Sequence, residues 1–387
     1  MEKTLKKRAE AANALLAAYA VDHGAGLGRV HEEPEDATRF PFQRDRGRII
    51  HTQAFRRLKH KTQVFVAGHG DHYRTRITHT FEVAQVSRDM ARTFSLNEDL
   101  AEAIALAHDL GHTPFGHAGE EAMRECMEPF EKTFEHNQQS LRVVTLLEDR
   151  TRLYPGLNLR REVLEGLIKH ATPHDAPEGM AVVHAPSLEA QIVNLADEIA
   201  YTAHDTDDGL RAGLFTHADL ARVALTARAM ELASVRGTEI RGILVDLLVT
   251  DIYTRVPAVL KTHSIRSLVD VYAASEPLVL FSEAMERMLT DLSSFLWDRL
   301  YVSSAVQEQA ERGRRIVRSL FKAYLAKPPA KVKALQQKTH GALEDGVKDY
   351  IAGMTDGYAE EMAAKLSALS RAQHAPLAPP STSIPSL

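Results

Sequence analysis

An all-α fold is expected for this 387-residue chain on two observations. Apolar residues recur at the helical period of about 3.6 in segment after segment, and the period-two alternation of strands is scarce. In order, "MEKTLKKRAEAANALLAAYA" reads as a charged, Ala-rich helix, since Glu2 and Glu10 break up what would otherwise pass for a signal peptide. Residues 22 to 42, rich in Gly, Pro and Glu, form an irregular arm. "TQVFVAGHGDHY" is the one place for a short strand or hairpin. "NEDLAEAIALAHDL" is a helix opened by a Ser95/Glu98 capping box and stopped by Gly111. A Pro-rich loop, 171 to 186, precedes "SLEAQIVNLADEIAYTAHDTDDGL", a helix with Ser187 as N-cap. "RGILVDLLVTDIYTRV" and "SEAMERMLTDLSSFLWDRLYV" supply further amphipathic helices, and the Pro/Ser tail from His374 has little to bury and is expected to be disordered. The expected organisation is an arm to residue 38, a helical core over 39–215, a C-terminal helical lobe over 216–373 packed on it, and the tail, 374–387.

Composition limits the classes. Hydrophobic residues at 44% and charged residues at 26% are those of a soluble globular protein. No apolar run approaches the roughly 18 residues of a membrane span. The single cysteine, Cys126, leaves no partner for an internal disulfide and fits a reducing cytoplasm. The net charge of -5 argues against a surface that binds nucleic acid everywhere, though not against a local basic patch.

The chemistry concentrates in "LAHDLGHTPFGHAGEE". His108 and Asp109 lie in the last turn of a helix, where side chains converge beyond its end, and imidazole with carboxylate suits a divalent cation. Further ligands must come from elsewhere: His79, early in the helix of "RTRITHTFEVAQVSRDMA", and Asp197, set among Leu195, Ala196, Ile199 and Ala200. A carboxylate in apolar surroundings needs a partner or a metal. Asp197, Tyr201 and Asp205 share one helix face at i, i+4 and i+8. The run Asp205 to Asp208 also reads as a solvated face. His112, His117 and His136 are more than a metal requires and suit phosphate contacts or proton transfer near neutral pH. Between Arg39 and Arg92 stand twelve Lys/Arg against four acidic residues. That excess reads as a polyphosphate pocket, with a nucleic-acid stripe as the rival, because Phe55, Phe65 and Tyr73 are interleaved. No P-loop or dinucleotide fingerprint occurs.

The set His79, His108-Asp109, Asp197 resembles the H…HD…D signature of HD-domain phosphohydrolases. The blocks "FQRDRGRIIHTQAFRRLKHKTQVFV", "TRITHTFEVAQVSR", "AHDLGHTPFGHAGE", "FEHNQQ" and "NLADEIAYTAHD" resemble those of the bacterial deoxyguanosinetriphosphate triphosphohydrolase-like family, over about Arg39 to Leu214. The resemblance implies an HD helical bundle that hydrolyses dNTPs to deoxynucleoside and triphosphate. It implies one divalent metal, Mn²⁺ or Mg²⁺ foremost and Fe, Co, Ni or Zn as alternatives, on His79, His108, Asp109 and Asp197. By the same resemblance Arg76, His112 and His117 act at the phosphates, Glu120 orients His117, and His136 completes the catalytic pocket. Gln63 and Asp205 would read the deoxyribose 3′-OH, and Tyr201 would pack under the sugar and exclude a 2′-OH. Relatives form tetramers or hexamers, and some respond to single-stranded DNA or to a dNTP effector. There is one departure: Glu198 stands where the mammalian relative has a phosphate-reaching lysine. Arg255, Lys261 and Arg266 are candidates to replace it.

Overall fold

A computed structural model describes residues 2–24, 26–63, 74–168 and 185–373. Among them the chain is helical without a strand, and β pairing is confined to three isolated bridges. Most of the "TQVFVAGHGDHY" segment (64–73) lies outside the described residues. An antiparallel bridge from Thr62 to Thr75 closes its ends. Residues 171–184 of the Pro-rich loop and the tail from His374 also lie outside them. No described helix is long and apolar enough to cross a membrane.

Three helices build the centre. The HD helix, Glu98–Ala107, is apolar nearly all round: Leu100, Ile104 and Leu106 are buried, and Ala101, Ala103, Ala105 and Ala107 keep its flanks thin. It therefore packs against the His79 helix, Arg76–Thr93, on one side and the Asp197 helix, Leu188–Arg211, on another. Ser187 caps the last of these through Ala190 N, as expected. The Ser95/Glu98 capping box is not formed. Asn97 is the N-cap, its side chain accepting from Leu100 N, while Ser95 takes a left-handed φ of 53° in the turn before it. The better cap sits one residue before the helix and satisfies the orphan donor.

A second core backs the first. Phe115, Met123 and Met127 pack with Phe321, Val347 and Ile351, so the loop from His112 to Gly116 lies between the central helices and the C-terminal helices. Gly313 of the Ser304–Ala326 helix sits so close to Phe115 that a Cβ there would overlap the ring's own Cβ. The turn between the C-terminal helices Leu343–Ala352 and Asp356–Gln373 is tied to the core by polar contacts. Asp356 accepts from Thr62 N (2.9 Å), the Thr62 hydroxyl and Phe115 N (3.0 Å). Lys61 Nζ donates to the carbonyls of His112 and Ala352, and Arg57 to that of Gly353. Phe115 is held in a left-handed conformation (φ 65°), a strain that these contacts over-determine. Asp356→Ala leaves two buried N–H groups without acceptors and is expected to cost about 2–4 kcal/mol, read as a lower urea midpoint with an unchanged slope.

Candidate active site

The three central helices converge on His79, His108, Asp109 and Asp197. His108 ends the HD helix, and its Nδ1 donates to Ala105 O (2.6 Å), which turns the Nε2 lone pair inward. Asp109 Oδ1 stands 3.3 Å from His108 Nε2 and 3.1 Å from His112 Nε2, and its Oδ2 accepts from Arg76 Nη1 at 2.9 Å. His79 Nε2 is 3.0 Å from Asp197 Oδ1 and 3.9 Å from Asp109 Oδ2, and Asp197 Oδ1 is 3.7 Å from His108 Nε2. Ligand atoms about 2.1 Å from one cation stand roughly 3 Å apart, so this donor set fits a divalent ion, with imidazole and carboxylate of the right chemistry. His79, His108 and Asp109 are buried; the Asp197 side chain keeps 22% of its surface and marks the open side.

Charge in the cluster follows these contacts. Burial would raise the Asp109 carboxyl, but His108, Arg76 and His112 outweigh it and hold it well below the usual carboxylate range. Burial lowers the His79 imidazole, yet Asp197 raises it above its ordinary value. His112 falls well below its ordinary value through burial, with Arg76 and His136 adding to the shift. Lys61 is pushed down to about 7, first by burial and then by Arg76.

The chain returns to the cluster because of Gly111, though not by the expected route. The glycine does not cap the helix with a left-handed turn; it lies against the backbone of the His136–Arg142 helix, where a Cβ would strike Ser140 N and His136 O. Gly111 N donates to Ser140 Oγ (2.8 Å), which donates to His108 O (2.7 Å). His112 and His136 stack, with ring centroids 3.9 Å apart and 17° between planes. Glu120 contacts both remaining histidines but lies closer to His136: 3.0 Å to its Nδ1, 3.0 Å to its backbone N, and 3.5 Å to His117 Nδ1. Burial opposes the charge of Glu120, and the imidazoles of His117 and His136 overcome that, keeping it a carboxylate. His117 is the exposed member, its side chain 79% accessible.

Beyond Asp197 the same helix face carries Tyr201 and Asp205. The solvated-face reading of Asp205 to Asp208 fails, because Asp205, Asp207 and Asp208 are all buried. Asp208 pairs with Arg74 (2.8 Å), Asp207 with Arg211 (3.0 Å), and Asp205 accepts the hydroxyl of Tyr301. Burial and then Asp205 drive the Tyr301 phenol well above its ordinary value, so it stays a donor. Gln63 lies beside Gly116 at the start of the histidine wall. Tyr301 and His204 were not found from the sequence; Tyr301 reaches the site across 96 positions and has no local signal there.

The basic excess between Arg39 and Arg92 is mostly matched by acids outside that stretch. Arg39 pairs with Asp36, Arg44 and Arg48 with Glu33, Arg46 with Glu102, Arg74 with Asp208, Arg76 with Asp109, and Arg88 and Arg92 with Glu98. A broad anion stripe is therefore not what these residues make. Arg76 alone of these eight pairs with a residue of the His/Asp cluster. Arg255, Lys261 and Arg266 are exposed on and just after the Ile240–Thr262 helix.

Family comparisons agree with this geometry. The HD domain model matches residues 76–202, and the phosphohydrolase-associated domain model matches residues 279–365. Deoxyguanosinetriphosphate triphosphohydrolase-like proteins from Azoarcus sp. and Geobacter sulfurreducens are 45% and 46% identical over 359 residues, covering 89% of this chain and 94% and 93% of theirs. The chain belongs to the deoxyguanosinetriphosphate triphosphohydrolase-like family. A relative from Brucella anthropi is 45% identical over 375 residues. As a member of this family the protein is a hydrolase of the HD superfamily. The two matched regions coincide with the HD bundle and with most of the C-terminal helices whose final turn is pinned to it at Asp356.

Proposed function

We propose that this family member hydrolyses deoxynucleoside triphosphates to deoxynucleoside and inorganic triphosphate. The observation that carries the reading is the Asp197 helix. It sets a metal-type carboxylate, Asp197, one turn before Tyr201 and two turns before the buried Asp205–Tyr301 pair. A phosphate held at the cluster would thus leave its sugar against Tyr201 and Asp205.

His79, His108, Asp109 and Asp197 would hold one divalent cation, Mn²⁺ or Mg²⁺ by the hardness of its carboxylates. When bound, such a cation neutralises phosphate oxygen charge and makes water a better nucleophile. The protein supplies the rest. Arg76 gives Nη1 to Asp109, and its Nε and Nη2 are buried without a hydrogen-bond partner among the described residues. Buried donors left unpaired are costly, and these are suited to charge that develops on a transferring phosphoryl group. Water attack at the α-phosphorus with in-line loss of the 5′-oxygen needs a proton for that oxygen. His117, accessible and 3.5 Å from Glu120, would give it, and the stacked His112 and His136 would hold the phosphate oxygens. Asp205 and Gln63, whose buried Oε1 has no partner among the described residues, would accept from the sugar 3′-OH, and Tyr201 would crowd a 2′-OH.

A panel of four dNTPs and four NTPs with Mn²⁺ or Mg²⁺ tests this. Turnover of at least one dNTP with little of its ribonucleotide is expected. Equal rates for the pair would move the reading to an HD phosphohydrolase of another nucleotide class.

A further inference from the structure

His204, seven residues after Asp197 on the same helix, is 1% exposed. Its Nε2 stands 3.1 Å from His79 Nδ1, the two rings meeting edge to face at 86°. On its other side Nδ1 is 2.9 Å from Asp205 Oδ1, a close electrostatic contact between chain neighbours in which neither atom makes a hydrogen bond among the described residues. Asp205 Oδ2 takes the Tyr301 hydroxyl. Contacts therefore run without a break from Tyr301 through Asp205, His204 and His79 to Asp197.

The chemistry fixes the direction of this chain. His79 turns Nε2 toward Asp197 and Asp109. An imidazole that offers Nε2 as a lone pair to a cation carries its hydrogen on Nδ1. That hydrogen must go to His204 Nε2, so His204 holds its own hydrogen on Nδ1, on the side of the Asp205 carboxylate. With a cation on His79 Nε2, the other His204 tautomer would set two N–H groups face to face. Metal-bound histidines usually give their second N–H directly to a carboxylate or carbonyl. In this chain an imidazole stands between, and its carboxylate is the one placed against the sugar.

We propose that His204 is a positioning residue that fixes the tautomer and ring orientation of His79 and at the same time holds Asp205, so that the cation and sugar subsites form one coupled unit. The inference rests on the metal and sugar roles given under the proposed function, and the experiment separates the two. Mn²⁺ affinity is measured by calorimetry without nucleotide, alongside thermal midpoints and dNTP KM, for the wild type, His204→Ala, His204→Gln and His204→Asn. Glutamine places an amide oxygen near the position of Nε2 and can accept from His79. Asparagine places an amide N–H near Nδ1 and can serve Asp205 only. His204→Ala and His204→Asn are expected to bind Mn²⁺ about 10–100-fold more weakly, and His204→Gln to recover most of that affinity while its KM for dNTP stays raised. Alanine binding Mn²⁺ as the wild type does would overturn the proposal. Should alanine not fold, equal Mn²⁺ affinities for the glutamine and asparagine variants would overturn it as well. Wild-type protein that binds no Mn²⁺ would instead overturn the metal reading itself, and the role of His204 with it.

Discussion

His108→Ala and Asp109→Asn are expected to lose cation binding and hydrolysis together. Each removes one of four converging donors whose neighbouring contacts span 3.0 to 3.9 Å. A bound cation supplies several kcal/mol of transition-state stabilisation, so the loss in kcat/KM is expected to be at least about 10³-fold. Asparagine is the cleaner choice at Asp109. Its amide oxygen can still accept from Arg76, whereas alanine would leave that guanidinium buried and unpaired and confuse unfolding with loss of metal. Mn²⁺ calorimetry and turnover on the same preparations check the result; a variant that keeps wild-type Mn²⁺ affinity would remove its residue from the donor set. The same cluster sets a pH dependence. Asp197 holds the His79 proton to a pH above the ordinary imidazole value, against the opposing effect of burial. Protons then compete with the cation as pH falls through that raised value, so Mn²⁺ affinity is expected to weaken on acidification, and to begin doing so above the ordinary imidazole range.

Arg76→Ala carries the next largest effect. The side chain is 1% exposed, spends one nitrogen on Asp109 and has two others without a hydrogen-bond partner among the described residues. Loss of such a preorganised donor costs about 10²–10³ in kcat, and the contact with developing charge predicts that kcat falls further than KM rises. Arg76→Lys should rescue little, because an ammonium cannot hold Asp109 and bridge a phosphate with a planar fork. Mn²⁺ binding should survive in both variants, which sets this residue apart from the donors. Steady-state kinetics with kcat unchanged and only KM raised would make Arg76 a binding group with no special hold on the transition state.

What could be read from the sequence was what local pattern encodes. The Asp197 helix announced itself through its period, its Ser187 cap and the i, i+4, i+8 spacing that puts Asp197, Tyr201 and Asp205 on one face. His108-Asp109 stood out because two ligand types fell at a helix end. Long-range pairing was not legible. Twelve basic residues in one stretch suggest a polyphosphate surface, yet the counter-charges of eight of them sit at Glu33, Asp36, Glu98, Glu102, Asp109 and Asp208. Tyr301 meets Asp205, and Asp356 meets Phe115, only because the C-terminal helices fold back on the bundle. The position of Gly111 suggests a helix stop, but its reason is the backbone of Ser140 against it. The family resemblance gives Glu120 to His117, while the fold brings His136 closer to it.

Hydrolysis at the α-phosphorus with the triphosphate left whole is tested most directly by running the reaction with Mn²⁺ in ¹⁸O-labelled water and identifying both products by ³¹P NMR and mass spectrometry. Deoxynucleoside free of label and tripolyphosphate carrying one labelled oxygen are expected. Deoxynucleoside monophosphate with pyrophosphate, or label in the nucleoside, would contradict it.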